Sequence, residues 1–297
     1  MRRRINLGRD PWFGIALVVP LLLWVAATLI YPLLEALRLS FQNVQYLGTA
    51  GKYVGLSNYR TILLSKDFQR SAGLTIWWTL LNTAGKILLA LVCAFVLNQD
   101  YRGKTFVRNW IILPWVFPSI VLATMGKWLL DPTLGLINYI LVSLGLIEKG
   151  ISFLGNTTYA LYVVTALNVW RWFPFFTVIF LAALQTIPKQ MYEAAQIDGA
   201  SRVKRLWYID LPHLLPVIKV STLIASLWSV NIFDLIWLLT RGGPASSTAT
   251  LPIYIYIKGF QEFRISQAAT AAIVLFVVLA IYGVIYYKRA LDIELEG

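Results

Sequence analysis

The chain has 297 residues, of which 58% are hydrophobic and 13% are charged, and its formal net charge is +12. Soluble domains contain roughly 45–50% apolar and about 25% charged residues, so this composition excludes an ordinary water-soluble fold and favours a membrane protein. The basic residues lie mainly between apolar runs, which is typical of cytoplasmic loops rather than of a nucleic-acid-binding surface. The single cysteine, Cys93, lies in an apolar run, so no disulfide framework is expected.

Six apolar runs are each long enough to cross about 30 Å of hydrocarbon as a helix. They cover residues 12–31, 74–97, 107–130, 159–184, 217–240 and 268–287. The first run follows a basic start but has no convincing cleavage site, so we expect an uncleaved span. Residues 1–11 are then a cytoplasmic N-terminal tail, and 12–297 a single transmembrane domain. Of the 26 lysines and arginines, 14 lie on the side that would hold both termini, which predicts cytoplasmic N and C termini.

A polar, cationic segment at about residues 186–216 separates the fourth and fifth runs. Pro188 suits the start of a helix, and Gly199 permits the positive φ that reverses a chain. Ser201 can then cap a second helix, which Leu211-Pro212 is expected to end. Residue chemistry alone leaves two uses open: a lever for a separate partner, or a basic loop held to anionic lipid heads.

This segment resembles the EAA loop of ABC importer permeases. The matching positions are Glu193, Ala194, Ala195, Asp198, Gly199, Ala200, Ile209, Leu211, Pro212 and Pro216. A second stretch, Leu238–Pro244 followed by Thr250–Tyr256, resembles the LT-x-GGP and TLP-x-YIY phrases of MalF-like carbohydrate-uptake permeases. On these residues the chain is similar to inner-membrane components of binding-protein-dependent transport systems.

The resemblance implies an all-α membrane protein of about six transmembrane helices, with the type I importer (MetI-like) fold. It implies a pore-forming permease for a sugar or oligosaccharide in a bacterial or archaeal cytoplasmic membrane. The implied partners are a second homologous permease, two ATPase subunits, an extracytoplasmic solute-binding protein and membrane lipid, with no nucleic acid. The implied ATPase-coupling residues are Glu193, Ala194, Ala195, Asp198, Gly199, Ala200, Leu211 and Pro212.

We expect neither a catalytic site nor a metal site in this chain. Gly103-Lys104-Thr105 ends like a phosphate-binding loop, but Asn98 stands where that motif needs its first glycine. His213 is the only histidine and has no second metal ligand or nucleophile near it in sequence, so it is expected to be a satisfied loop residue. The chain therefore needs no cofactor of its own, and ATP and Mg²⁺ are expected on the partner ATPase.

Polar and aromatic side chains inside the apolar runs are the candidates for a substrate path, because ionisable groups in a bilayer usually face a cavity or a partner. The fifth run is expected to present four of them at intervals of three, so that neighbours share adjoining helix faces. The full set is Trp228, Asn231, Asp234, Trp237, Asn168, Arg171 and Lys86. Each tryptophan could equally pack against lipid or against another helix.

The charges in this set support two interpretations. Lys86 and Arg171 outnumber the acid Asp234, and such a cationic surplus suits an acidic or phosphorylated sugar. Alternatively, Arg171 and Asp234 form an ion pair that fixes two spans together. Other functions left open are a permease for glycerol phosphate or another small solute, a membrane scaffold, and a secondary transporter. A secondary transporter gains little support, because the sequence has one carboxylate inside an apolar run and no visible inverted repeat.

Overall fold

A computed structural model of the chain describes residues 11–44 and 51–294, with side chains for residues 14–44 and 51–288. The predicted N-terminal tail therefore lies outside the described residues, except for Pro11. The chain divides into two compact units, one drawn from residues before Lys66 together with Ile255–Leu275, the other from Lys66–Tyr254 together with the chain after Leu275.

The first unit begins with a long apolar rod. Helix α1 (Pro11–Val25) passes through a π-helical turn (Ala26–Ile30) into α2 (Tyr31–Ser40). Two short antiparallel strands follow, β1 (Gln42–Asn43) and β2 (Lys52–Tyr53), and then α3 (Ser57–Leu64). The small core of this unit contains Leu39, Val44 and Ala269. The rod from Gly14 to Ser40 buries none of its most apolar stretch in the chain, as expected of a helix whose surroundings are lipid or another subunit.

Every secondary-structure element in the described residues of the second unit is a helix or a π-helical turn. Its elements are α4 (Lys66–Asn98), α5 (Lys104–Ile111), α6 (Leu113–Val116), α7 (Ser119–Leu129), α8 (Leu136–Ser143), α9 (Ala160–Leu184), α10 (Lys189–Ile197), α11 (Arg202–Arg205), a π-helical turn (Leu206–Asp210), α12 (Leu211–Val230) and α13 (Asp234–Thr240). The chain continues through α14 (Leu251–Tyr256), a third π-helical turn (Ile257–Gln261) and α15 (Ile265–Glu294). The ranges of α14 and α15 extend over both units, whereas the turn lies in the first.

Three long helices, α4, α9 and α12, form the core of the second unit. Ala90, Phe176, Phe180 and Leu214 are buried where these helices meet. A Cβ added to Gly85 would lie 2.8 Å from Val169, so α4 and α9 approach too closely for a larger residue at that point. Small residues of this kind allow close helix contacts in membranes, where apolar burial alone does not bring helices together.

The prediction of about six membrane spans is confirmed, with corrections to their form. Five helices in the described residues are long and apolar enough to span a membrane, and a bent pair, Lys104–Val116 with Ser119–Leu129, makes a sixth. That pair is bent by 96°, because Pro118 cannot continue the first half. The predicted fifth run is wrong as one helix, since α12 ends at Val230 and α13 begins only at Asp234.

Candidate functional site

The EAA segment is residues 186–216, and its first half has the local structure that its residues predict. Helix α10 begins directly after Pro188 and ends at Ile197. Gly199 has φ +70°, where an L side chain is strained, and the chain reverses there. The Ser201 hydroxyl accepts a hydrogen bond from the Lys204 amide at 3.3 Å, which caps the next helix.

One expectation for this segment is wrong: Leu211-Pro212 does not end the second helix. The helical rod runs without a break from Arg202 to Val230. The π-helical turn closes with the Leu211 amide donating to the Leu206 carbonyl, and this wider turn accommodates Pro212, which has no amide hydrogen. The second half of the EAA segment is therefore continuous with the membrane helix α12.

Two side-chain contacts fasten the first half of the EAA segment to the second. The Tyr192 hydroxyl donates to Asp210 Oδ1 at 2.6 Å, and Thr186 Oγ1 lies 3.0 Å from His213 Nε2. Burial, and then the bond to Asp210, raise the pKa of Tyr192 above its usual value. His213 is satisfied, as predicted, but it lies in α12 rather than in a loop. The Tyr192 bond thus joins α10 to the π-helical turn, and the Thr186–His213 contact joins the chain before α10 to the first turn of α12.

Most residues of α10 and of the turn that follows it are exposed. Glu193, Ala194, Asp198, Gly199 and Pro212 are exposed, and Ala195, Ala200 and Leu211 are partly buried. Ile197, at the end of α10, is 88% exposed. A polar segment that presents two alanines and a bare isoleucine offers a surface that another protein can approach closely.

Lys86, Asn82 and Asn168 lie together in the contact between the three core helices. Lys86 is only 1% exposed, and its ammonium donates to Ser229 Oγ at 2.9 Å. Asn168 Nδ2 donates to Asn82 Oδ1 at 2.5 Å, and both asparagines are fully buried. The predicted path residues Lys86 and Asn168 are therefore interior helix contacts in this conformation, and Asn82 is a partner that the sequence did not indicate.

Arg171 and Asp234 lie close together with Ser119 between them. The Arg171 guanidinium donates from Nη1 to Ser119 Oγ at 2.5 Å, and the Ser119 hydroxyl donates to Asp234 Oδ2. Arg171 Nη1 and Asp234 Oδ2 are 3.8 Å apart, so the predicted pair is present, with a hydroxyl as its bridge. Sequence reasoning missed Ser119; the signal available was Pro118, which marks a helix start beside it.

The remaining path residues divide between two places. Trp228 packs against Trp172 and Phe175, with ring centroids 5.2 Å apart in each case. Asn231 caps the end of α12 and donates to the Leu227 carbonyl at 2.8 Å. Trp237, in α13, stacks on Phe233, which directly precedes that helix. The predicted stripe of four residues is wrong as a single helix face, because the chain breaks between Asn231 and Asp234.

A cavity of about 470 Å³ lies at the C-terminal ends of α7 and α13. Its lining includes Lys127, Asp131, Ser152, Gly243 and Pro244, so the second predicted phrase contributes to it. None of the predicted path residues lines it. Within the described residues no group of three or more histidine, cysteine or acidic side chains could hold a metal ion.

The chain has apolar spans, an exposed polar segment fastened to two of them, and polar side chains at the helix breaks. These features together define a membrane transport subunit. The family described as binding-protein-dependent transport system inner membrane component matches residues 86–292. Because this match covers more than half of the chain, the protein belongs to that family.

The relatives point to sugar transport. The chain is 30% identical to the trehalose/maltose transport system permease protein MalF of Thermococcus litoralis over 281 residues, 94% of either chain. It is 30% identical to the multiple sugar-binding transport system permease protein MsmF of Streptococcus mutans over 283 residues, 95% of this chain and 96% of MsmF. The predicted membership of the carbohydrate-uptake group of ABC importer permeases is confirmed.

Solved structures agree with the fold. The chain is similar to one of a bacterial ABC transporter involved in the import of the acidic polysaccharide alginate, with a TM-score of 0.83, 25% identity, and 97% and 98% of the two chains covered. A structure of bacterial alginate ABC transporter in complex with alginate pentasaccharide-bound periplasmic protein matches with a TM-score of 0.84 and 25% identity over 98% of each chain. The predicted type I importer fold is confirmed, and the protein is an inner-membrane component of a system that depends on a binding protein.

Proposed function

We propose that this chain is the pore-forming subunit of an ATP-driven importer that moves a sugar or oligosaccharide into the cell. The ATPase is a separate subunit that docks on the EAA segment and carries ATP and Mg²⁺, so this chain is not itself an enzyme. A second homologous permease, two ATPase subunits and an external solute-binding protein complete the assembly. Both termini and the EAA segment face the cytoplasm, where ATP is available.

The observation that carries this proposal is the attachment of the exposed helix α10 to the membrane helices. Tyr192 of α10 bonds Asp210, the last residue of the π-helical turn, at 2.6 Å, and Thr186, before α10, lies 3.0 Å from His213 in the first turn of α12. Since α12 packs against both α4 and α9, a displacement of α10 by a docked partner moves the core of the bundle. A scaffold or a secondary transporter has no need of such a lever.

The substrate path is proposed to include Asn231, Asp234 and Arg171, with Trp228 and Trp237 beside it. Asn168 and Lys86 belong to the same path only if the helices α4, α9 and α12 separate during transport, because both are buried in the described conformation. An acidic sugar is a second candidate substrate, favoured by the likeness to the alginate importer. Glycerol phosphate remains a weaker alternative, since the relatives reported above are sugar permeases.

The test is ATP-dependent sugar uptake by vesicles that hold the complete complex. Glu193→Lys should abolish uptake while the complex still assembles, because it reverses the charge offered to the ATPase. Gly199→Ala should reduce uptake several-fold, and Gly145→Ala is its matched control, since both glycines have positive φ and no atom near a new Cβ. Equal effects of the two alanine variants would show that backbone strain, and not the coupling surface, explains the loss.

A further inference from the structure

We infer that Arg171 and Asp234 form a binding site for a sugar hydroxyl, which Ser119 fills when no sugar is bound. This site favours neutral sugars over acidic ones. The inference rests on the proposed function and deepens it, because it names the substrate class.

The geometry of the three side chains carries the inference. Ser119 Oγ accepts from Arg171 Nη1 at 2.5 Å and donates to Asp234 Oδ2. Arg171 Nη1 and Asp234 Oδ2 are 3.8 Å apart, too far for a direct hydrogen bond, so the Ser119 hydroxyl is the hydrogen-bond partner of both atoms, while Arg171 Nε is buried without a partner. A sugar hydroxyl has the same ability to accept and donate at once. Ser119 is therefore a chemical substitute for the ligand.

Two of the three residues lie at helix breaks, which allows the exchange. Ser119 is the first residue of α7, after the 96° bend, and Asp234 is the first residue of α13. Arg171 lies within the unbroken helix α9. Helices α7 and α13 can therefore shift relative to α9 without loss of hydrogen bonds inside any helix, and such a shift separates Ser119 from the charged pair.

The charges indicate a neutral ligand. The Asp234 side chain is 54% exposed and that of Arg171 only 15%, so an incoming sugar meets the carboxylate first. Lys86 is 1% exposed and bonded to Ser229, so it adds no accessible charge in this conformation. An acidic sugar would be repelled by Asp234, whereas a neutral hydroxyl donates to it. The cationic surplus expected from the sequence is therefore not presented to a ligand.

An apolar surface adjoins the charged pair. The Arg171 guanidinium lies 5.4 Å from the centre of the Trp172 ring, and Trp172 contacts Trp228. Aromatic rings can stack on the C–H face of a sugar while the polar pair binds a hydroxyl. The combination of ring and hydroxyl-binding pair suits a pyranose better than an inorganic anion.

Direct binding to the purified complex, without the binding protein, tests the inference. The probes are tritiated maltose, trehalose and lactose as neutral sugars and tritiated digalacturonate as the acidic one. Wild type should bind at least one neutral sugar and not digalacturonate. Ser119→Ala should bind that neutral sugar roughly tenfold more tightly, because the internal competitor for two charged groups is gone. Asp234→Asn should weaken neutral binding and permit digalacturonate binding through the freed Arg171.

Asp131→Asn is the matched control, since it removes the same charge outside the cluster and should leave both affinities unchanged. The inference is overturned if Asp234→Asn leaves the ratio of acidic to neutral binding at the wild-type value, or if Ser119→Ala does not tighten neutral binding. It is also overturned if wild type prefers digalacturonate. If any of these results is found and wild type still takes up sugar in an ATP-dependent way, the inference fails but the proposed function stands. If wild type takes up no sugar at all, both the proposed function and the inference fail.

Discussion

Lys86 of α4 and Ser229 of α12 are joined by a hydrogen bond of 2.9 Å across the core of the bundle. The same serine accepts the Trp78 indole N–H at its backbone carbonyl, at 2.8 Å, and its hydroxyl donates to the Ala225 carbonyl at 2.6 Å. Lys86 has no carboxylate partner among the described residues. Because one hydroxyl holds a buried ammonium, substitution of either Lys86 or Ser229 should change the stability of the protein.

Ser229→Ala is therefore expected to destabilise the protein by about 1–3 kcal/mol, because it leaves a buried ammonium without a partner. Lys86→Met is expected to be neutral or stabilising, and adding it to Ser229→Ala should restore stability. Thermal unfolding in detergent measures all three, with Ser221→Ala on the same helix as the control. A Ser229→Ala protein as stable as wild type would mean that this bond does not hold the ammonium.

Tyr192→Phe removes the hydroxyl that ties α10 to Asp210. We expect ATP hydrolysis to continue while sugar transported per ATP falls roughly fivefold, because a bond worth about 1 kcal/mol no longer transmits the movement. Parallel assays of phosphate release and uptake in proteoliposomes give this ratio. Tyr162→Phe, a half-exposed tyrosine in α9, is the control. An unchanged ratio for Tyr192→Phe would show that the Tyr192–Asp210 bond does not transmit the movement.

Gly242 cannot carry a side chain without strain. Its φ is +85°, and a Cβ would lie 2.9 Å from Ile253 Cγ2. Gly242→Ala should lower the free energy of unfolding by roughly 2–4 kcal/mol, through left-handed backbone strain and overpacking. Gly145→Ala has the same backbone strain, at φ +67° with open space, and should cost only about 1–2 kcal/mol. Denaturation of the two variants side by side separates the cost of overpacking from the cost of backbone strain. Equal losses of unfolding free energy in the two variants would contradict the overpacking at Gly242.

The stability of the turn after α7 should depend on pH, because Asp131 accepts hydrogen bonds there. The Leu134 and Thr133 amides donate to its carboxylate, and these bonds lower the pKa of Asp131. A carboxyl whose pKa is lower in the folded state stabilises the fold above its unfolded pKa of about 3.9, and this contribution is lost as the pH falls through the folded value. Hydrogen exchange of the two amides should therefore lose protection only below about pH 4. Asp131→Asn, which cannot titrate, should lack this step.

Patterns that are local in sequence predicted much of this fold. The apolar runs located the spans, and Pro188, Gly199 and Ser201 gave the start, reversal and cap of the EAA segment, because each acts through its own backbone or nearest neighbours. Local patterns could not show the continuation of the helix through Pro212, because it depends on a π-helical turn whose hydrogen bonds the sequence does not encode as a simple period.

The candidate site was only partly predictable. Arg171 and Asp234 were recognisable as polar residues in apolar runs, but Ser119 bonds Asp234 across 115 residues of chain, and no periodicity reports such a contact. Lys86 was expected in the path, yet helix packing buries it against Ser229. Residue type thus indicated which side chains matter, while the three-dimensional contacts decide which of them a ligand can reach.

Uptake of labelled sugar by proteoliposomes that hold this permease, its second permease, the ATPase and the binding protein tests the central claim most directly. The account predicts accumulation that requires ATP and stops when the ATPase subunit or the binding protein is omitted. Sugar accumulation that persists without ATP or without the ATPase would contradict it.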